Sequence, residues 1–464
     1  MLCIGLVGAG RPVLSWDEVT TADVSRRSVG QLWALVQHVD AVFGPYYLFM
    51  HFWTRWLGTS ELDLRLPSII AMAGAVAAAG ELGRRLFNPL VGLVAGLFLC
   101  AMPNTSRYAA EARPYAFACL FSVLSVLLLI IALNRRRPAA WVAYGCAVTL
   151  LGFSHIVALT TLAAHAVLVL AHRRDRGWGR MVAAWAGTLS AVAAALLPVA
   201  LLGVGQQDTQ LAWVDPVTAG SLYRAPGYIV GSDPTAWLLI GLAITAAWRP
   251  TYEVAHLVVL GLAPLAVIGL VSVLVTPMWV VRYLLVVLAP LAILAAAALA
   301  GSTPTRMPIT AVRLLTVLAL VACTAFPDQR RVRGPTPKNG PDYRGAAAVI
   351  QQHQLPDDAI VYEVRSRAMR AGMTYYLRRY PTAPRDILQS RPAAEAARLT
   401  ADEYRDPVPH LAHVHRVWLA VGGHRRDPTT GYPALRHTLQ TDFERVGVWF
   451  VDEATLALFR QRSS

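Results

Sequence analysis

The feature that most constrains this chain is a series of long apolar runs, nearly free of charge, recurring from the N-terminus to about residue 327. A helix needs about 20 apolar residues, within a range of roughly 17–25, to cross a hydrocarbon core. Ten stretches meet or approach that length: 65–83, 88–105, 115–133, 138–154, 156–171, 181–204, 234–248, 254–276, 280–300 and 308–326. Only 15% of the 464 residues are charged and 55% are hydrophobic, with a mean hydropathy of +0.45. A soluble domain carries about 25% charged residues. The chain therefore reads as an α-helical polytopic membrane protein with about 10–11 transmembrane helices. Cys3, Cys100, Cys119, Cys146 and Cys323 lie in apolar runs without CxxC spacing. They read as small packing residues, with no disulfide framework and no zinc site.

The formal charge is +14, from 42 basic and 28 acidic residues, and Lys338 is the only lysine. That arginine-dominated composition points to a high-GC, actinobacterial type of genome. A basic excess can serve nucleic acid, anionic lipid or cytoplasmic loops. Its distribution selects the last. Arg84 and Arg85 follow the first full span, Arg135 to Arg137 the third, and Arg173, Arg174, Arg176 and Arg180 the fifth. Arg249 follows the seventh and Arg306 the ninth. These alternate loops are cytoplasmic by the positive-inside rule, so the partner is a bilayer and no nucleic acid is expected. Residues 11–64, 106–114, the turn near His155, 205–233 and 277–279 then face outside, as does the tail from about 328.

Gly44 to Leu57 is aromatic-rich but short, contains His51 and Arg55, and reads as a helix lying in the outer membrane interface. Met1 to Gly10 is too short to span and fits a cleaved signal peptide poorly, having no basic leader and no clear cleavage site. The expectation is a start placed late or a leading helix left out.

A Pro/Gly/Arg linker, 328–341, joins the membrane domain, 1–327, to residues 342–464. The first outer loop, 11–64, with its juxtamembrane helices, is counted within the membrane domain. In the tail, helical patterns at 344–354, 368–379 and 433–441 alternate with strand patterns at 359–364, 414–421 and 446–451. This predicts a small extracytoplasmic α/β domain. It has no GxGxxG after a strand and no P-loop, so no nucleotide site is expected.

Candidate chemistry collects on the outer side. Asp17 and Glu18 follow the N-terminal stub and could supply a general base and a substrate-orienting partner. The competing reading is that they cap the next helix, where acids are favoured. Arg107-Tyr108 and Glu111-Ala112-Arg113-Pro114-Tyr115 could clamp a phosphate, since arginine forks onto phosphate oxygens, with Glu111 holding an arginine in place. The alternative is an interfacial belt with a surface salt bridge. Arg282-Tyr283 opens a later span, where the alternative is a snorkelling arginine. Arg65 and His155 sit at the same boundary, and a lone histidine there is more often structural. Gln206 to Trp213 is polar and aromatic, which suits a sugar. Glu81, His165 and His256 are isolated and form no relay of the kind a proton-coupled transporter needs. No internal repeat supports a lipid-linked-sugar flippase.

The order of these pieces resembles the GT-C glycosyltransferases, in the protein O-mannosyltransferase and aminoarabinose-transferase-like branch common in actinobacteria. The matching pieces are Ser15-Trp16-Asp17-Glu18, Asp40-Ala41-Val42-Phe43-Gly44-Pro45-Tyr46-Tyr47, Ser60-Glu61 and Arg65-Leu66-Pro67-Ser68. They continue with Gly83 to Phe87, Arg107-Tyr108, Glu111 to Ala116, Arg282-Tyr283-Leu284 and Asp342 to Ala347. Phe43 stands where many relatives have histidine. The resemblance implies transfer of a sugar from a polyprenyl-phosphate donor on the outer face of the cytoplasmic (inner) membrane. Mannose is the first expectation, and arabinofuranose or another pentose the alternative. The acceptor would be an envelope glycan, lipoglycan or protein. Asp17 is the implied base, with Glu18 as runner-up or partner, and Arg107, Arg113 and Arg282 the implied phosphate contacts. Asp40, Tyr46, Arg65, Tyr108, Glu111, Tyr115, His155 and Tyr283 complete the implied substrate site. No cofactor and no metal ligand is expected, because the guanidinium groups can stabilise the leaving phosphate.

Overall fold

Helices occupy the apolar runs. The computed structural model describes every residue except 249, 301–306, 336–339, 365, 367 and 463–464, and at 209 and 307–310 the backbone alone. Arg249, Arg306, Lys338 and part of the 328–341 linker thus lie outside the described residues.

Two units divide the chain. One comprises Met1–Ala9, Asp40–Tyr46 and Arg65–Arg333; the other comprises Gly10–Val39, Tyr47–Leu64 and Gly334–Ser464. Most of the 11–64 loop, expected with the membrane domain, therefore groups with the tail. The reason is a set of long-range hydrogen bonds and ion pairs that a linear reading of the sequence does not reveal.

Seven described helices are long and apolar enough to cross a membrane, and all but residues 61–64 of the first fall in the first unit: Glu61–Leu86, Tyr115–Arg135, Ile156–Arg174, Trp178–Asp208, Tyr252–Leu274, Val281–Ala300 and Ala311–Arg331. Two bent pairs raise the number to nine, Pro89–Ala101 with Pro103–Ala109 at 71° and Ala219–Val230 with Asp233–Ala247 at 93°. Pro138–Ser154, apolar but 17 residues long, occupies the remaining expected span. Tight packing of small residues brings the helices together: a Cβ on Gly92 would collide with the Gly80 carbonyl. Phe98, Leu129, Tyr144, Leu257 and Ile293 are fully buried in the core.

The bends have local causes. Pro103 has no N–H and forces Met102 out of the helical region, to φ −62° and ψ 124°. Gly231 ends the helix Ala219–Val230 at φ +90°, and a Cβ there would lie 2.8 Å from the Asn104 amide nitrogen. The two breaks brace each other. Asn104 Nδ2 donates to the carbonyls of Tyr228 at 2.5 Å and Ile229 at 3.0 Å, which a helix C-terminus leaves without partners. Gln329 Nε2 does the same for Ala101 at 2.9 Å. The expected outer loop 205–233 is largely helical. Trp178–Leu211 runs into it, and a Thr218–Ser221 capping box starts Ala219–Val230.

Contacts sort the helix ends into two groups. Arg84 and Arg85 pair with Glu81, Asn88 bonds the Ala300 carbonyl at 2.8 Å, and Arg136 bonds the Arg176 carbonyl at 2.8 Å. These are the arginine-bearing turns that the charge pattern places together. The turns at 40–46, 107–115, 155, 206–213 and 282–283 meet at the other end.

In the second unit the strands are β1 (Ala359–Tyr362), β2 (Arg385–Asp386), β3 (Gln389–Arg391), β4 (Asp402–Glu403), β5 (Arg416–Gly422), β6 (Phe443–Val451) and β7 (Ala454–Gln461). The main sheet runs β2-β1-β5-β7-β6, parallel from β2 to β5 and antiparallel beyond. Helices Tyr343–His353, Met369–Leu377 and Pro433–Thr441 lie close to their expected positions. Strand β7 is an addition. Its two-residue connection to β6, Asp452-Glu453, carries no glycine or asparagine to mark a turn, yet Glu453 takes φ +52°. Val361, Leu419, Leu435 and Leu439 are fully buried in its core.

Candidate functional site

In the first unit, arginines and aromatic rings gather at the end away from the arginine-bearing turns. Asp40 opens the short 3₁₀ turn Ala41–Phe43 in the left-handed region at φ +57°. The turn is pinned to the helix Trp178–Leu211. Gln206 accepts the Ala41 N–H at 2.9 Å and Gln210 donates to Asp40 Oδ1 at 3.4 Å. This fixes Phe43, whose ring centroid lies 4.1 Å below the guanidinium of Arg113. Arg113 is 4% exposed, so the stacked charge is nearly desolvated. Its carbonyl accepts the Ser68 hydroxyl at 3.1 Å, tying the 110–114 turn to the helix Glu61–Leu86.

Arg282 sits among three rings, 4.9 Å from Trp213 and 6.0 Å from each of Tyr115 and Tyr283. The rings run on: Tyr108 meets Tyr115 edge-on at 5.7 Å, Tyr115 meets His155 at 5.8 Å, and His155 meets Tyr283 at 4.5 Å. Burial holds the His155 imidazole well below its ordinary pKa, and the guanidinium groups of Arg282 and Arg113 push the same way. It is therefore neutral near pH 7, adding no charge to the arginines around it. Arg107, on the bent segment Pro103–Ala109, lies 5.4 Å from the Tyr108 ring. Its Nε is buried without an acceptor among the described residues. Glu111 is buried at 6% exposure in the same turn.

Arg65, fully buried, donates to the Ala9 carbonyl at 2.6 Å, and Tyr46 packs edge-on against Phe117 at 6.1 Å. Of the substrate-site residues expected from the sequence, Asp40, Arg107, Tyr108, Arg113, Tyr115, His155, Arg282 and Tyr283 are joined by these contacts or by contacts through Phe43, Gln206 and Gln210. An apolar cavity of about 410 Å³ lies in the same unit, lined by Ala225, Ile229, Leu257, Leu265, Trp279 and Leu291 among others.

Asp17 and Glu18 belong to the second unit, in the first turn of the helix Trp16–Val24. Ser15 and Glu18 form a reciprocal capping box: the Ser15 N–H donates to Glu18 Oε2 at 3.0 Å and the Glu18 N–H to Ser15 Oγ at 3.4 Å. Glu18 is fully buried in that role, whereas Asp17 is half-buried. Both acids thus lie in the first turn, where the helix dipole favours them, and Glu18 alone closes the capping box. Glu61 is the acid that sequence reasoning leaves without a role. Both its oxygens are bound, by Arg344 at 2.7 Å and Arg379 at 2.6 Å, inside the second unit. Its place at the first position of a long apolar helix was the available signal. Among the described residues no group of three or more His, Cys, Asp or Glu is placed to hold a metal.

The apolar helices, the two bent pairs and the small C-terminal sheet make a fold that is shared with solved structures. The model of the dolichyl-phosphate-mannose-protein mannosyltransferase family matches residues 45–201, which carry Arg65, Arg107, Glu111, Arg113, Tyr115 and His155. Among solved structures the chain is similar to ArnT from Cupriavidus metallidurans in the apo state, with a TM-score of 0.65 and 17% identity over 98% of this chain and 96% of that one. The same protein bound to undecaprenyl phosphate matches with a TM-score of 0.63 and 16% identity over the same shares. No curated protein matches the chain in sequence.

Proposed function

We propose that this chain is a multi-pass inner-membrane glycosyltransferase. It moves a sugar, mannose first, from a polyprenyl-phosphate donor to an extracytoplasmic envelope glycan, lipoglycan or protein. The observation that carries the reading is Arg107, a guanidinium with a buried, unfilled donor at the same end as Arg113 and Arg282. A phosphate supplies the acceptor oxygens such a group needs. The ArnT structure with undecaprenyl phosphate supports the class of lipid, and the apolar cavity near Trp279 suits a prenyl chain.

The chemistry asks two things of the protein. The acceptor hydroxyl oxygen bonds to the anomeric carbon while its proton passes to the Asp17 carboxylate. The bond from the anomeric carbon to the phosphate oxygen breaks, and the polyprenyl phosphate leaves with its electron pair. Arg107, Arg113 and Arg282 stabilise the charge that develops there, oriented in advance so that little reorganisation is needed. Tyr108, Tyr115 and Tyr283 hold the guanidinium groups by their ring faces. Asp40 acts through the turn that carries Phe43. Tyr46, Arg65, Glu111 and His155 shape the surrounding wall. Glu18, occupied as a cap, serves the helix that bears Asp17.

The test is transfer from radiolabelled polyprenyl-phosphate mannose and polyprenyl-phosphate arabinofuranose by purified protein in liposomes supplied with envelope extract. Label should move into the envelope fraction from the mannosyl donor. Label moving from the pentosyl donor alone would change the sugar, and no transfer from either donor, with the protein folded, would overturn the reading.

A further inference from the structure

We infer that the C-terminal domain is a positioning element for the acid-bearing helix Trp16–Val24, gripping it at both ends. In so far as it concerns catalysis, the inference rests on the assignment of Asp17 above.

The grip begins with the backbone. The Val13 N–H donates to the Pro335 carbonyl at 3.0 Å, and the Leu14 N–H donates to the hydroxyl of Tyr376 at 3.0 Å. The next amide, of Ser15, is taken by the Glu18 carboxylate. Three successive donors ahead of the helix are thus engaged, two of them by the tail. Tyr376 is 1% exposed and stacks on the fully buried Tyr343 at 6.4 Å and 17°, so its hydroxyl is held rigidly. Upstream, Arg344 donates to the carbonyls of Arg11 at 2.9 Å and Gly10 at 3.4 Å.

At the far end of the helix, Arg27 is 3% exposed. It donates to Asp23 at 2.7 Å and to the Arg398 carbonyl of the tail at 2.8 Å. The segment after the interfacial helix is fixed by the same domain. Glu61 takes Arg344 on one oxygen and Arg379 on the other, and the Tyr375 hydroxyl donates to the Thr59 carbonyl at 2.6 Å. Arg344 therefore links Glu61 to the backbone at Gly10 and Arg11 through a single guanidinium.

Asp17 is two residues beyond the Ser15 cap, so the pose of its carboxylate follows the pose of this helix start. General-base transfer needs hydrogen-bond distance to the acceptor hydroxyl, and small misplacements cost rate before they cost binding. Tyr376 is a positioning residue in this sense, and the Glu61–Arg344–Arg379 group supports it.

The test uses the full chain in detergent, as Tyr376→Phe, which keeps the ring and removes the hydroxyl. Hydrogen exchange by mass spectrometry should be about tenfold faster at residues 13–19, with the β5–β7 strands as protected as in wild type. Transfer kcat should fall about fivefold or more with the donor KM unchanged. Glu61→Gln, which frees two arginines, is the second variant and should act in the same direction should Tyr376→Phe fail to fold. Unchanged exchange at 13–19, or faster exchange with wild-type kcat, overturns the inference. If Asp17→Asn retains full transfer while Tyr376→Phe loses it, the assignment of the base fails and the positioning stands.

Discussion

Replacing Phe43 with leucine removes the face on which Arg113 rests and leaves most of the apolar volume. The guanidinium lies 4.1 Å from the ring centroid and Arg113 is 4% exposed. A cation over an aromatic face gains about 0.5–1 kcal/mol when exposed and about 2 kcal/mol when desolvated, so about 1–2 kcal/mol is expected here. At about 1.4 kcal/mol per tenfold, donor binding should weaken by about 5–30-fold. The assay is the affinity of purified protein in nanodiscs for undecaprenyl phosphate, read by native mass spectrometry. Phe43→Trp keeps a ring face and should stay within about threefold of wild type. Phe43→Leu within about twofold of wild type would refute the reasoning, because Arg113 would then hold its pose, or bind phosphate, without the ring.

Asp17→Asn should lower the transfer rate by at least about a hundredfold with expression and lipid-phosphate binding intact, and a wild-type rate would remove Asp17 as base. Asn104→Ala removes the donor to the part-buried carbonyl of Tyr228 and strands the buried carbonyl of Ile229, at a cost of about 1–3 kcal/mol. Thermal unfolding in detergent should show the loss, and an unchanged Tm would mean the two breaks do not depend on each other. The depressed pKa of His155 gives a definite sign. The folded state binds fewer protons than the unfolded state between the depressed value and the ordinary one near 6.5, so stability is fully present above about pH 6.5 and falls as the pH drops below it. His155→Gln should flatten that dependence of Tm on pH, and an identical slope in both proteins would contradict it.

Apolar run length was enough to place the spans, because the bilayer sets that length directly. It could not show the bends. Pro103 marks one in the sequence, but the 93° turn at Gly231 depends on Asn104, more than a hundred residues away. The tail elements at Tyr343–His353 and Pro433–Thr441 were readable from local pattern, whereas β7 hid behind a turn without the usual residues. Within the candidate site, Arg113, Arg282 and the tyrosines stood out as polar groups at span ends. Phe43 was marked only by standing where a histidine is expected, and its value here comes from the guanidinium above it. Glu61 was equally opaque: its partners Arg344 and Arg379 lie beyond the entire membrane unit in sequence. Pairings across such separations leave no periodic trace.

The most direct test of the account is whether the arginine cluster recognises phosphate on a prenyl lipid. Binding of undecaprenyl phosphate and of uncharged undecaprenol should be compared in wild type and in the Arg107→Ala/Arg113→Ala/Arg282→Ala variant. The account predicts that wild type prefers the phosphate by at least about a hundredfold and that the variant loses the preference while still binding the apolar chain. Equal binding of both lipids by wild type, or an unchanged preference in the variant, would contradict it.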